Sequence, residues 1–365
     1  MKILVTGSRG FIGKNLTKFL KEKKIKIIEY NKKDNFNLKF SQLTTNDAIV
    51  HLAGQNRSSK KEDFIKNNIN LTKKISDFLI KKKLKINFIF SSSSHTGRHK
   101  NYIESKKECE RILKNMQKKT SSNLIVLNLP NVFGKWSKPN YNSVIATFCE
   151  KISKSKKIKI DDRNKKIKFV YIDDVVNKIY ELIKNKKMRS LTIDDYYYIK
   201  LGDLAKKIEL CKAIFENSLY FNTQDLFFKK LYSTYITFVR KSKLIKKIKV
   251  ISDKRGSFSE LIKDRYIGQI SSLTIKKNHT RGNHYHNTKI ERFFLSNGKV
   301  EFNLKNLANN KKLKFILDNK NKNFLEVPPG WSHNIRNLHK DISTLIVWSN
   351  EIYDRNKPDT YKNKI

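Results

Sequence analysis

Apolar residues occur along the first two thirds of the chain in short continuous runs, each followed by a longer stretch with helical spacing. The clearest runs lie in Lys2–Thr6, Ile25–Tyr30, Ala48–Gly54 and Asn87–Phe90. Continuous apolar runs are typical of parallel strands that are buried on both faces, and helical stretches between them are typical of crossover connections. The pattern predicts an α/β fold with a doubly wound parallel sheet.

The pattern changes near residue 245. Beyond Ile248 the apolar segments become short and alternating, and Asn, Gly and Lys separate them, as in strands joined by turns. A chain of 365 residues also exceeds what one hydrophobic core usually serves. We therefore expect two domains, an α/β domain over residues 1–245 and an all-β domain over residues 246–365.

The first apolar run ends in a glycine-rich turn, and a helical stretch from Lys14 to Lys23 follows it. Gly7, Gly10 and Gly13 have the spacing of a dinucleotide-binding turn. In such a turn the glycines allow a tight bend, a close approach of backbone to pyrophosphate, and close packing of helix on strand. On its own the triplet also fits an ordinary strand–helix turn. The candidate cofactor contacts are Gly7, Arg9, Gly10, Phe11, Ile12 and Gly13.

Two further segments bear on the cofactor. At the end of the second strand an acidic residue would favour a free ribose hydroxyl, and a cation would favour a 2′-phosphate. Lys32 and Lys33 follow this strand whereas Glu29 lies inside it, so we expect Lys32 or Lys33 to bind NADP. NAD stays open because lysine is common along the whole chain. The end of the third strand should pass beneath the cofactor through Leu52, Ala53 and Gly54.

A serine run and a Tyr-x-x-x-Lys spacing indicate proton chemistry near this cofactor. The fourth strand runs into Ser91–Ser94, and a helix expected to reach Met116 opens with Tyr102 and Lys106 on one face. Free tyrosine has a pKa of about 10. Acid–base work near neutrality therefore requires a nearby cation and a hydroxyl hydrogen bond. Lys106 and a strand-end serine supply both.

Together these segments resemble the extended short-chain dehydrogenase/reductase family, which has a Rossmann-type sheet. The resemblance implies that Ser93, Tyr102 and Lys106 are catalytic. Tyr102 and Lys106 would also contact the cofactor, as would Asn68. Four consecutive serines leave the register of Ser93 open by one residue. The family's dehydratases carry an acidic pair just after this serine, whereas Ser94–Gly97 contains none, which disfavours dehydration.

Two later stretches resemble the substrate side of that family. Leu127–Gly134 corresponds to a strand and turn that flank the substrate, although Asn128 stands where arginine is frequent. Asp173 and Asp174 follow a later strand, where an aspartate can cap the next helix, and we interpret both as structural. His51 is also interpreted as structural. The substrate-contact candidates are Asn131, Lys135 and Asn140.

Five of the eight histidines lie after residue 278, and three of these belong to two spaced groups. His284 and His286 alternate along a strand, so both imidazoles face one side, and Glu291 is expected from the adjoining strand. His333 follows a Pro-Pro-Gly turn and is expected from another strand. Both spacings resemble the paired motifs of the cupin superfamily, a double-sheet β-barrel with a metal inside. Zinc is our first expectation, but this donor set also suits iron, manganese and nickel.

Charge and cysteine content narrow the possible partners. Lys and Arg number 79 against 33 Asp and Glu, a net charge of +46, but these cations are spread over nearly every segment. Nucleic-acid platforms concentrate cations and aromatics in one tract, so we expect no nucleic acid partner. No apolar run reaches membrane-spanning length, and no targeting segment precedes the first strand. With three unpaired cysteines, we expect a cytoplasmic protein and no membrane partner.

Joined in one chain, the two halves resemble the CapF/WbjC family of bifunctional enzymes for capsular and O-antigen polysaccharide synthesis. The resemblance implies a homodimer with a UDP-sugar substrate, C3 epimerisation in the cupin domain and NADPH-dependent reduction of a C4 ketone in the other domain. The product would be a UDP-N-acetyl-6-deoxy-L-talosamine-type sugar on the route to N-acetyl-L-fucosamine. The stretches that carry the resemblance are Pro130–Trp136, Pro139–Val144, Leu231–Tyr235, Asp253–Phe258 and Pro358–Tyr361.

Two other functions are compatible with the same residues. One is a UDP-sugar 4-epimerase that keeps NAD bound and has a non-catalytic cupin domain. The other is a non-catalytic nucleotide-sensing or RNA-binding protein, which the high net charge suggests. An intact set of Ser93, Tyr102 and Lys106 argues against this second alternative.

Overall fold

A computed structural model of the protein describes residues 1–93, 100–185, 196–217, 219–264 and 266–365. The chain divides into two compact units, each with its own hydrophobic core. The first consists of Met1–Lys212 and Asp225–Val239, and the second of Ala213–Gln224 and Arg240–Ile365. None of the described helices is both long enough and apolar enough to cross a membrane.

The first unit is built on five parallel strands, each of them a short and largely apolar run. They are β1 (Ile3–Thr6), β2 (Ile27–Tyr30), β3 (Ala48–His51), β4 (Asn87–Ser93) and β5 (Asn123–Leu129). Their order in the sheet is β2-β1-β3-β4-β5. The order reverses direction at β1, so the crossover connections place helices on both faces of the sheet.

Nine helices connect or follow these strands in the described part of the chain. A π-helical turn, Ile65–Ile69, joins the third helix to the fourth. The first helix begins directly after the glycine turn, and the fifth carries the Tyr-x-x-x-Lys pair near its start. The helices are α1 (Phe11–Glu22), α2 (Phe36–Phe40), α3 (Lys61–Phe64), α4 (Asn70–Lys81), α5 (Lys100–Thr120), α6 (Val144–Ser153), α7 (Ile172–Lys184), α8 (Leu201–Asn217) and α9 (Leu226–Ile236).

Residues along each central strand point alternately into two apolar cores, one on each face of the sheet. Ile3 and Val5 belong to one core and Leu4 to the other. Val50 and Ile49 of β3 divide in the same way. Because helices cover both faces, the middle positions of β1 and β3 are all apolar, which explains the continuous apolar runs of these two strands. The predicted doubly wound, Rossmann-type α/β fold is confirmed.

A smaller sheet in the same unit contains β6 (Asn131–Phe133), β7 (Lys166–Tyr171) and β8 (Tyr197–Lys200). Its central strand runs parallel to β6 and antiparallel to β8. The prediction that an aspartate caps the next helix is wrong, because Tyr171 occupies the cap position without a side-chain hydrogen bond. Asp173 and Asp174 lie in the first turn of α7 instead. Their carboxylates pair with Lys135 and Lys230 at 2.5 and 2.6 Å.

The second unit consists of two antiparallel sheets preceded by a 3₁₀ turn, Lys241–Lys243. Its strands are β9 (Val250–Asp253), β10 (Gly256–Asp264), β11 (Gly268–Ile275), β12 (Thr280–Tyr285), β13 (Glu291–Asn297), β14 (Lys299–Asn306), β15 (Lys312–Asp318), β16 (Phe324–Val327), β17 (Trp331–Asn337), β18 (Ser343–Ser349) and β19 (Tyr361–Lys362). One sheet has the order β16-β13-β18-β11-β10-β9, and the other has the order β15-β14-β17-β12-β19.

Alternate residues of the two sheets meet in a single core between them. Leu345 and Val347 of β18 and Phe293 of β13 face inward from the first sheet, and Phe302 of β14 faces them from the second. The intervening positions are more exposed, which produces the alternating pattern of the last third of the sequence. The predicted all-β architecture of two packed sheets is confirmed.

Candidate functional site

The glycine turn between β1 and α1 is shaped by backbone contacts that leave no room for side chains. Gly7 has a φ of +68°, and a Cβ atom there would lie 2.9 Å from the Ala53 backbone. A Cβ atom on Gly13 would lie 2.2 Å from the Gly7 carbonyl oxygen. Gly10 precedes α1, and no described side chain caps this helix. The amides and the positive end of the α1 dipole are therefore suited to an anion such as a pyrophosphate.

A chain of hydrogen bonds beneath this turn joins β1, β3 and α4. The Ala53 N–H donates to Thr6 Oγ1 over 3.1 Å, and a second hydrogen bond joins Thr6 Oγ1 and His51 Nδ1, which lie 2.6 Å apart. His51 Nε2 lies 3.0 Å from Thr72 Oγ1. Burial, and after it the charge of Lys106, lowers the pKa of His51 to about 3. His51 is thus a neutral residue that ties the loop after β3 to the neighbouring elements.

The end of β2 is organised by Asn31 and Asp34, which the sequence interpretation missed. Asn31 Oδ1 accepts from the Arg9 N–H over 3.0 Å, and its amide nitrogen lies 2.8 Å from Ser8 Oγ. The Asp34 carboxylate accepts from the Asn31 N–H over 2.7 Å. Lys32 and the Arg9 side chain are exposed beside this turn. An aspartate that follows a strand end by a few residues is a signal of such side-chain-stabilised turns.

Of the three serines described at the end of β4, Ser93 reaches the candidate catalytic tyrosine. Ser91 Oγ donates to a β3 carbonyl oxygen over 3.2 Å, and Ser92 Oγ donates to a carboxylate of α5 over 2.6 Å. Ser93 hydrogen-bonds to Tyr102. The geometry favours Ser93 over Ser92 as the catalytic serine. Ser94–Gly97, with the fourth serine and the residues that disfavour dehydration, lies outside the described residues.

Lys106 lies buried on α5, one turn after Tyr102. Its Nζ donates to the Ser91 carbonyl oxygen over 2.8 Å and lies 4.6 Å from the Phe90 ring centre and 5.9 Å from the Tyr102 ring centre. Burial lowers the pKa of Lys106 to about 8. Burial raises the pKa of Tyr102, while its hydrogen bond with Ser93 acts in the opposite direction. The structure therefore brings the three residues together with Tyr102 protonated near neutral pH.

Asn68 lies in the π-helical turn and is almost fully buried. Its side-chain oxygen accepts from the Gln55 N–H over 2.6 Å, and its amide donates to the Gln55 carbonyl oxygen and to Ser105 Oγ, both over 3.0 Å. A Cβ atom on Gly54 would lie 3.2 Å from the Asn68 side-chain oxygen. Asn68 therefore holds the loop after β3 in place. Such π-helical turns are frequent at functional sites.

The candidate catalytic residues Ser93, Tyr102 and Lys106 line a cavity of about 670 Å³ within the first unit. Small-molecule sites typically have volumes of about 300–1,000 Å³. The wall combines the glycine turn, the end of β4, the start of α5 and the loops around β6. Of the predicted site residues, those in the wall are Gly7, Gly10, Phe11, Ile12, Gly13, Leu52, Gly54, Ser93, Tyr102, Lys106 and Asn131.

Two predicted substrate residues are engaged away from this cavity. Lys135 Nζ pairs with the Asp173 carboxylate. Asn140 has a φ of +55°, and its backbone N–H donates to Thr147 Oγ1 over 2.9 Å. Both residues shape the loop before α6 instead of facing the cavity. The predicted site residues outside its wall are Arg9, Lys32, Ala53, Asn68, Lys135 and Asn140.

The sequence interpretation missed the polar outer wall of the cavity. Arg57 Nη1 donates to the Tyr141 carbonyl oxygen over 2.6 Å, which joins the loop after β3 to the loop before α6. Lys138 Nζ lies 5.5 Å from the Tyr141 ring centre. All three residues line the cavity, with Asn56 and Asn142. These loops have no periodic pattern, and the available signal was that Tyr141 and Asn142 lie in Pro139–Val144, a stretch that carries part of the family resemblance.

The second unit brings all four predicted metal ligands together. One ligand atom from each of His284, His286, Glu291 and His333 lies within 4.8 Å of the others. His284 and His333 are paired on the neighbouring strands β12 and β17. Glu291 begins β13 in the opposite sheet. The ligand atoms therefore converge from both sheets, as the predicted metal centre requires.

Buried polar atoms of this group face each other in a way that a metal ion would satisfy. Glu291 Oε2 lies 3.2 Å from Nε2 of both His286 and His333. His286 Nδ1 donates to the Asp359 carbonyl oxygen, so in the neutral ring the Nε2 lone pair points toward the carboxylate. Among the described residues, His286 Nε2 and Glu291 Oε2 are buried without a satisfying hydrogen bond. Two ligands of a tetrahedral zinc ion lie about 3.3 Å apart, so the donors fit a divalent metal.

The electrostatics of the group also favour a cation. Burial lowers the pKa of His284 to about 4, and His333 acts in the same direction, so the His284 ring is neutral near neutral pH. Burial alone would lower the pKa of His286, but the Glu291 carboxylate raises it. Burial alone would raise the pKa of Glu291, but the imidazoles of His286 and His333 hold it well below its ordinary range. A buried, ionised carboxylate requires a positive charge beside it. The group is therefore a candidate metal centre with three nitrogen donors and one oxygen donor.

Two family models match the chain, one in each unit. Residues 3–193 match the NAD dependent epimerase/dehydratase family. This range includes the glycine turn and the Ser93, Tyr102 and Lys106 group. Residues 251–361 match the polysaccharide biosynthesis C-terminal domain. That range includes the four candidate metal ligands.

Two proteins of nearly the same length are similar to the whole chain. A UDP-2-acetamido-2,6-beta-L-arabino-hexul-4-ose reductase from Pseudomonas aeruginosa is 33% identical over 99% of this chain and 98% of its own. The crystal structure of the capsular polysaccharide assembling protein CapF from Staphylococcus aureus covers 100% of both chains at 30% identity, with a TM-score of 0.90. The resemblance to CapF-type proteins is thereby confirmed. A UDP-glucuronic acid 4-epimerase from Bacillus cereus, solved with NAD, shares the fold of 67% of this chain and 100% of its own, at 18% identity and a TM-score of 0.56.

Proposed function

This chain belongs to the NAD dependent epimerase/dehydratase family, and we propose that it is an oxidoreductase of sugar-nucleotide biosynthesis. Its substrate is a UDP-2-acetamido-2,6-dideoxy-4-keto-hexose, whose C4 ketone is reduced with NADPH in the first unit. The observation that carries this proposal is the grouping of Ser93, Tyr102 and Lys106 beside the cavity that the glycine turn also lines. Similarity to the reductase from Pseudomonas aeruginosa supports the same substrate class.

Reduction of a ketone requires a hydride and a proton. A nicotinamide cofactor, when bound at the glycine turn, supplies the hydride. Tyr102 donates its hydroxyl proton to the oxygen that gains negative charge at C4, and Ser93 hydrogen-bonds to the same oxygen. The Lys106 ammonium, 5.9 Å from the Tyr102 ring centre, stabilises the tyrosinate that remains. Until that transfer, burial keeps the Tyr102 hydroxyl protonated.

The outer wall of the cavity supplies cations for a diphosphate-linked sugar. Arg57 and Lys138 both line it, and guanidinium and ammonium groups are the usual partners of phosphate oxygens. Asn131 adds a hydrogen-bonding amide for the sugar. Lys135 is excluded from this role while it pairs with Asp173. We therefore assign the diphosphate contacts to Arg57 and Lys138.

The preference for NADPH over NADH is assigned to the exposed lysines after β2. Lys32 and Lys33 stand beside the end of the strand, where the adenosine ribose binds in Rossmann-type folds. The Asp34 carboxylate, which would repel a 2′-phosphate, accepts a hydrogen bond from the Asn31 N–H. The carboxylate keeps its charge, but the exposed cations Arg9, Lys32 and Lys33 outnumber it, which supports a positive environment at the ribose.

C3 epimerisation is assigned to the second unit, as a cupin-type reaction. The C3 proton is acidic only while C4 is a ketone, because the carbonyl delocalises the resulting carbanion. Epimerisation therefore precedes reduction. The four converging ligands would hold a divalent metal, with zinc as the first expectation, and a bound metal would polarise a ketone oxygen or stabilise the fold. The product is a UDP-N-acetyl-6-deoxy-L-talosamine-type sugar.

An assay with the 4-keto sugar nucleotide tests this proposal. The protein is incubated with the substrate and NADPH, with NADH in parallel, and the loss of reduced cofactor is followed by absorbance. We expect one NADPH to be consumed for each C4 alcohol identified by NMR. Unchanged ketone with intact NADPH would contradict the proposal. Interconversion of C4 hydroxyl epimers on protein-bound NAD, without net oxidation, would identify a UDP-sugar 4-epimerase instead.

A further inference from the structure

The stretch Pro358–Tyr361 carries part of the family resemblance but takes no part in the reduction chemistry. We propose that Pro358–Lys362, hereafter the clasp, holds His286 ready for metal binding, with Asp359 as its positioning residue. This inference rests on the metal centre proposed above. Its test measures metal binding and hydrogen exchange, so it can succeed or fail independently of the assigned reactions.

The clasp determines which nitrogen of His286 can bind a metal. The Asp359 main-chain carbonyl oxygen is only an acceptor, so His286 Nδ1 must carry the proton that it receives. The neutral ring therefore has its lone pair on Nε2, and this atom lies 3.2 Å from Glu291 Oε2 within the ligand group. The hydrogen bond to the clasp thus fixes both the tautomer and the direction of the ligand.

The Asp359 carboxylate organises the loop that separates two of the ligands. It accepts from the backbone N–H groups of Asn287, Thr288 and Lys289 over 3.0, 3.0 and 2.9 Å. It also accepts from Thr288 Oγ1 over 3.1 Å. These three residues directly follow His286 and come shortly before Glu291. One side chain of the clasp therefore fixes the path of the chain between a nitrogen ligand and the oxygen ligand.

The remainder of the clasp pairs with the strand that holds another ligand. Lys362 and Tyr361 of β19 are the antiparallel partners of His284 and Tyr285 in β12. The Tyr285 and Tyr361 rings stack with their centres 5.3 Å apart. Just beyond the clasp, Asn363 O accepts from Ser332 Oγ over 2.9 Å, next to the third imidazole ligand. The clasp therefore contacts His284 and His286, and the residue that follows it contacts the chain beside His333.

The conformation of Asp359 permits a conservative test. Its φ of +37° lies in a region that aspartate and asparagine tolerate better than most residues. Asp359→Asn keeps the size of the side chain and the main-chain carbonyl that binds His286, but it places an amide where three N–H donors converge. The variant therefore loosens the loop that carries His286 and the carbonyl that orients it, and we expect an effect within the range of about 10–100-fold that lost outer partners of metal ligands give.

The test measures Zn²⁺ affinity by competition with a colorimetric chelator, and the Zn²⁺ release rate by transfer to excess chelator. For Asp359→Asn we expect affinity to fall about 10–100-fold and release to quicken. The zinc-bound variant should lose more thermal stability, relative to the zinc-bound wild type, than the metal-free variant loses relative to the metal-free wild type. A lower midpoint of the metal-free variant with wild-type affinity and release would show a merely structural role and would overturn the proposal.

Asp318→Asn is the matched control. Asp318 ends β15, accepts from the Lys320 N–H over 3.0 Å, and belongs to a strand that pairs with β14. The substitution makes the same change of charge at another turn of the same unit. Zn²⁺ affinity should remain at the wild-type value. An equal loss in both variants would assign the effect to net charge and overturn the proposal.

Linkage provides a second test that needs no substitution. If the clasp favours the metal-bound state, then bound Zn²⁺ must stabilise the clasp by the same factor. Hydrogen exchange at the amides of Asn287, Thr288 and Lys289 should therefore slow when Zn²⁺ binds to the wild-type protein. Identical exchange with and without Zn²⁺ would contradict the clasp. Loss of the C3 reaction with these effects intact would count against the assigned function alone.

Discussion

The two candidate sites differ in whether their buried polar groups have hydrogen-bond partners within the protein. In the first unit, His51, Asn68 and Lys106 are buried, and each has hydrogen-bond partners within the protein. In the second unit, His286 Nε2 and Glu291 Oε2 are buried 3.2 Å apart without a satisfying hydrogen bond. Burying an unsatisfied polar group costs free energy, whereas a satisfied network is stable as it stands. The first site is complete before its ligands bind, and the second is completed by a cation.

The difference follows from the position of each site in its fold. The first lies at the carboxyl ends of parallel strands, where loops and helix N-termini offer backbone amides to a large ligand that binds and leaves. The second lies between two sheets, where side chains of β12, β13 and β17 converge on a space for one ion. A cleft suits a dissociable cofactor, and an enclosed group of donors suits a resident metal.

The largest expected effect is a loss of C4 reduction with no change in metal content. Tyr102→Phe removes the proton donor, so C4 reduction should fall about 10²–10⁴-fold. Zinc content should stay at the wild-type value, because no ligand of the metal group changes. Rates of NADPH oxidation and elemental analysis measure the two quantities. Tyr198→Phe, at an exposed ring, is the control. Turnover of Tyr102→Phe close to that of the wild type would contradict the assignment of Tyr102 as the proton donor.

Glu291→Gln should weaken Zn²⁺ binding and leave the cofactor site of the first unit unchanged. The amide has nearly the size of the carboxylate but lacks the charge that the cation balances. Zn²⁺ affinity should fall by more than the roughly 10–100-fold typical of lost outer hydrogen-bond partners. NADPH binding, measured by cofactor fluorescence, should not change. Wild-type Zn²⁺ affinity in this variant would show that the four residues are a buried polar cluster and not a metal site.

A smaller effect is expected from a substitution in the glycine turn, where the backbone shapes the first site. Gly7→Ala places a Cβ atom 2.9 Å from the Ala53 backbone at a φ of +68°. Strained backbone positions of this kind cost about 1–3 kcal/mol. We expect a lower thermal midpoint and weaker NADPH binding. Gly202→Ala, where φ is not positive, should change NADPH binding little. Equal NADPH affinity in both variants would contradict the role of the turn.

The pH dependence of reduction sharpens the contrast further. Burial lowers the pKa of Lys106 to about 8, so its ammonium is present below that pH and is lost as pH rises through it. The kcat/KM for C4 reduction should therefore be level below about pH 8 and fall by up to tenfold per pH unit above it. A pH–rate profile measures this. A profile that stays level to about pH 10 would show that the charge of Lys106 is not required.

The smallest expected effect concerns cofactor choice. Lys32 is exposed, and an exposed charge pair contributes little to binding. Lys32→Ala should raise the KM for NADPH about two- to fivefold and leave the KM for NADH unchanged. Steady-state kinetics with both cofactors distinguish the cases. Equal changes for NADPH and NADH would place the recognition of the phosphate elsewhere.

The sequence and the family resemblance predicted the motif residues of both sites, including the distant His333, but missed the contacts between loops. The glycine turn and the His284–His286 spacing are set within a few residues, so periodicity and spacing were enough to find them. The Arg57–Tyr141 contact and the Asp359–His286 contact join segments far apart in the chain. Only the packing of whole elements brings such segments together.

Competition for partners explains where the sequence interpretation was wrong or incomplete. Asp173 was expected to cap α7, but it lies inside the first turn and pairs with Lys135. The same ion pair engages Lys135, a candidate substrate residue. The sequence shows which side chains are able to bind a partner, but the fold determines which partner lies within reach of each side chain.

Two sites acting on neighbouring carbons of one sugar should leave separate isotopic traces. The zinc-loaded wild type and Tyr102→Phe are each incubated with the 4-keto sugar nucleotide and NADPH in deuterated water, and NMR locates the label. The wild type should yield the C4 alcohol with one deuterium at C3, and Tyr102→Phe should accumulate the ketone with deuterium at C3. Deuterium at C3 from the wild type but not from Tyr102→Phe would contradict two separate sites, and absence of deuterium from both proteins would contradict epimerisation altogether.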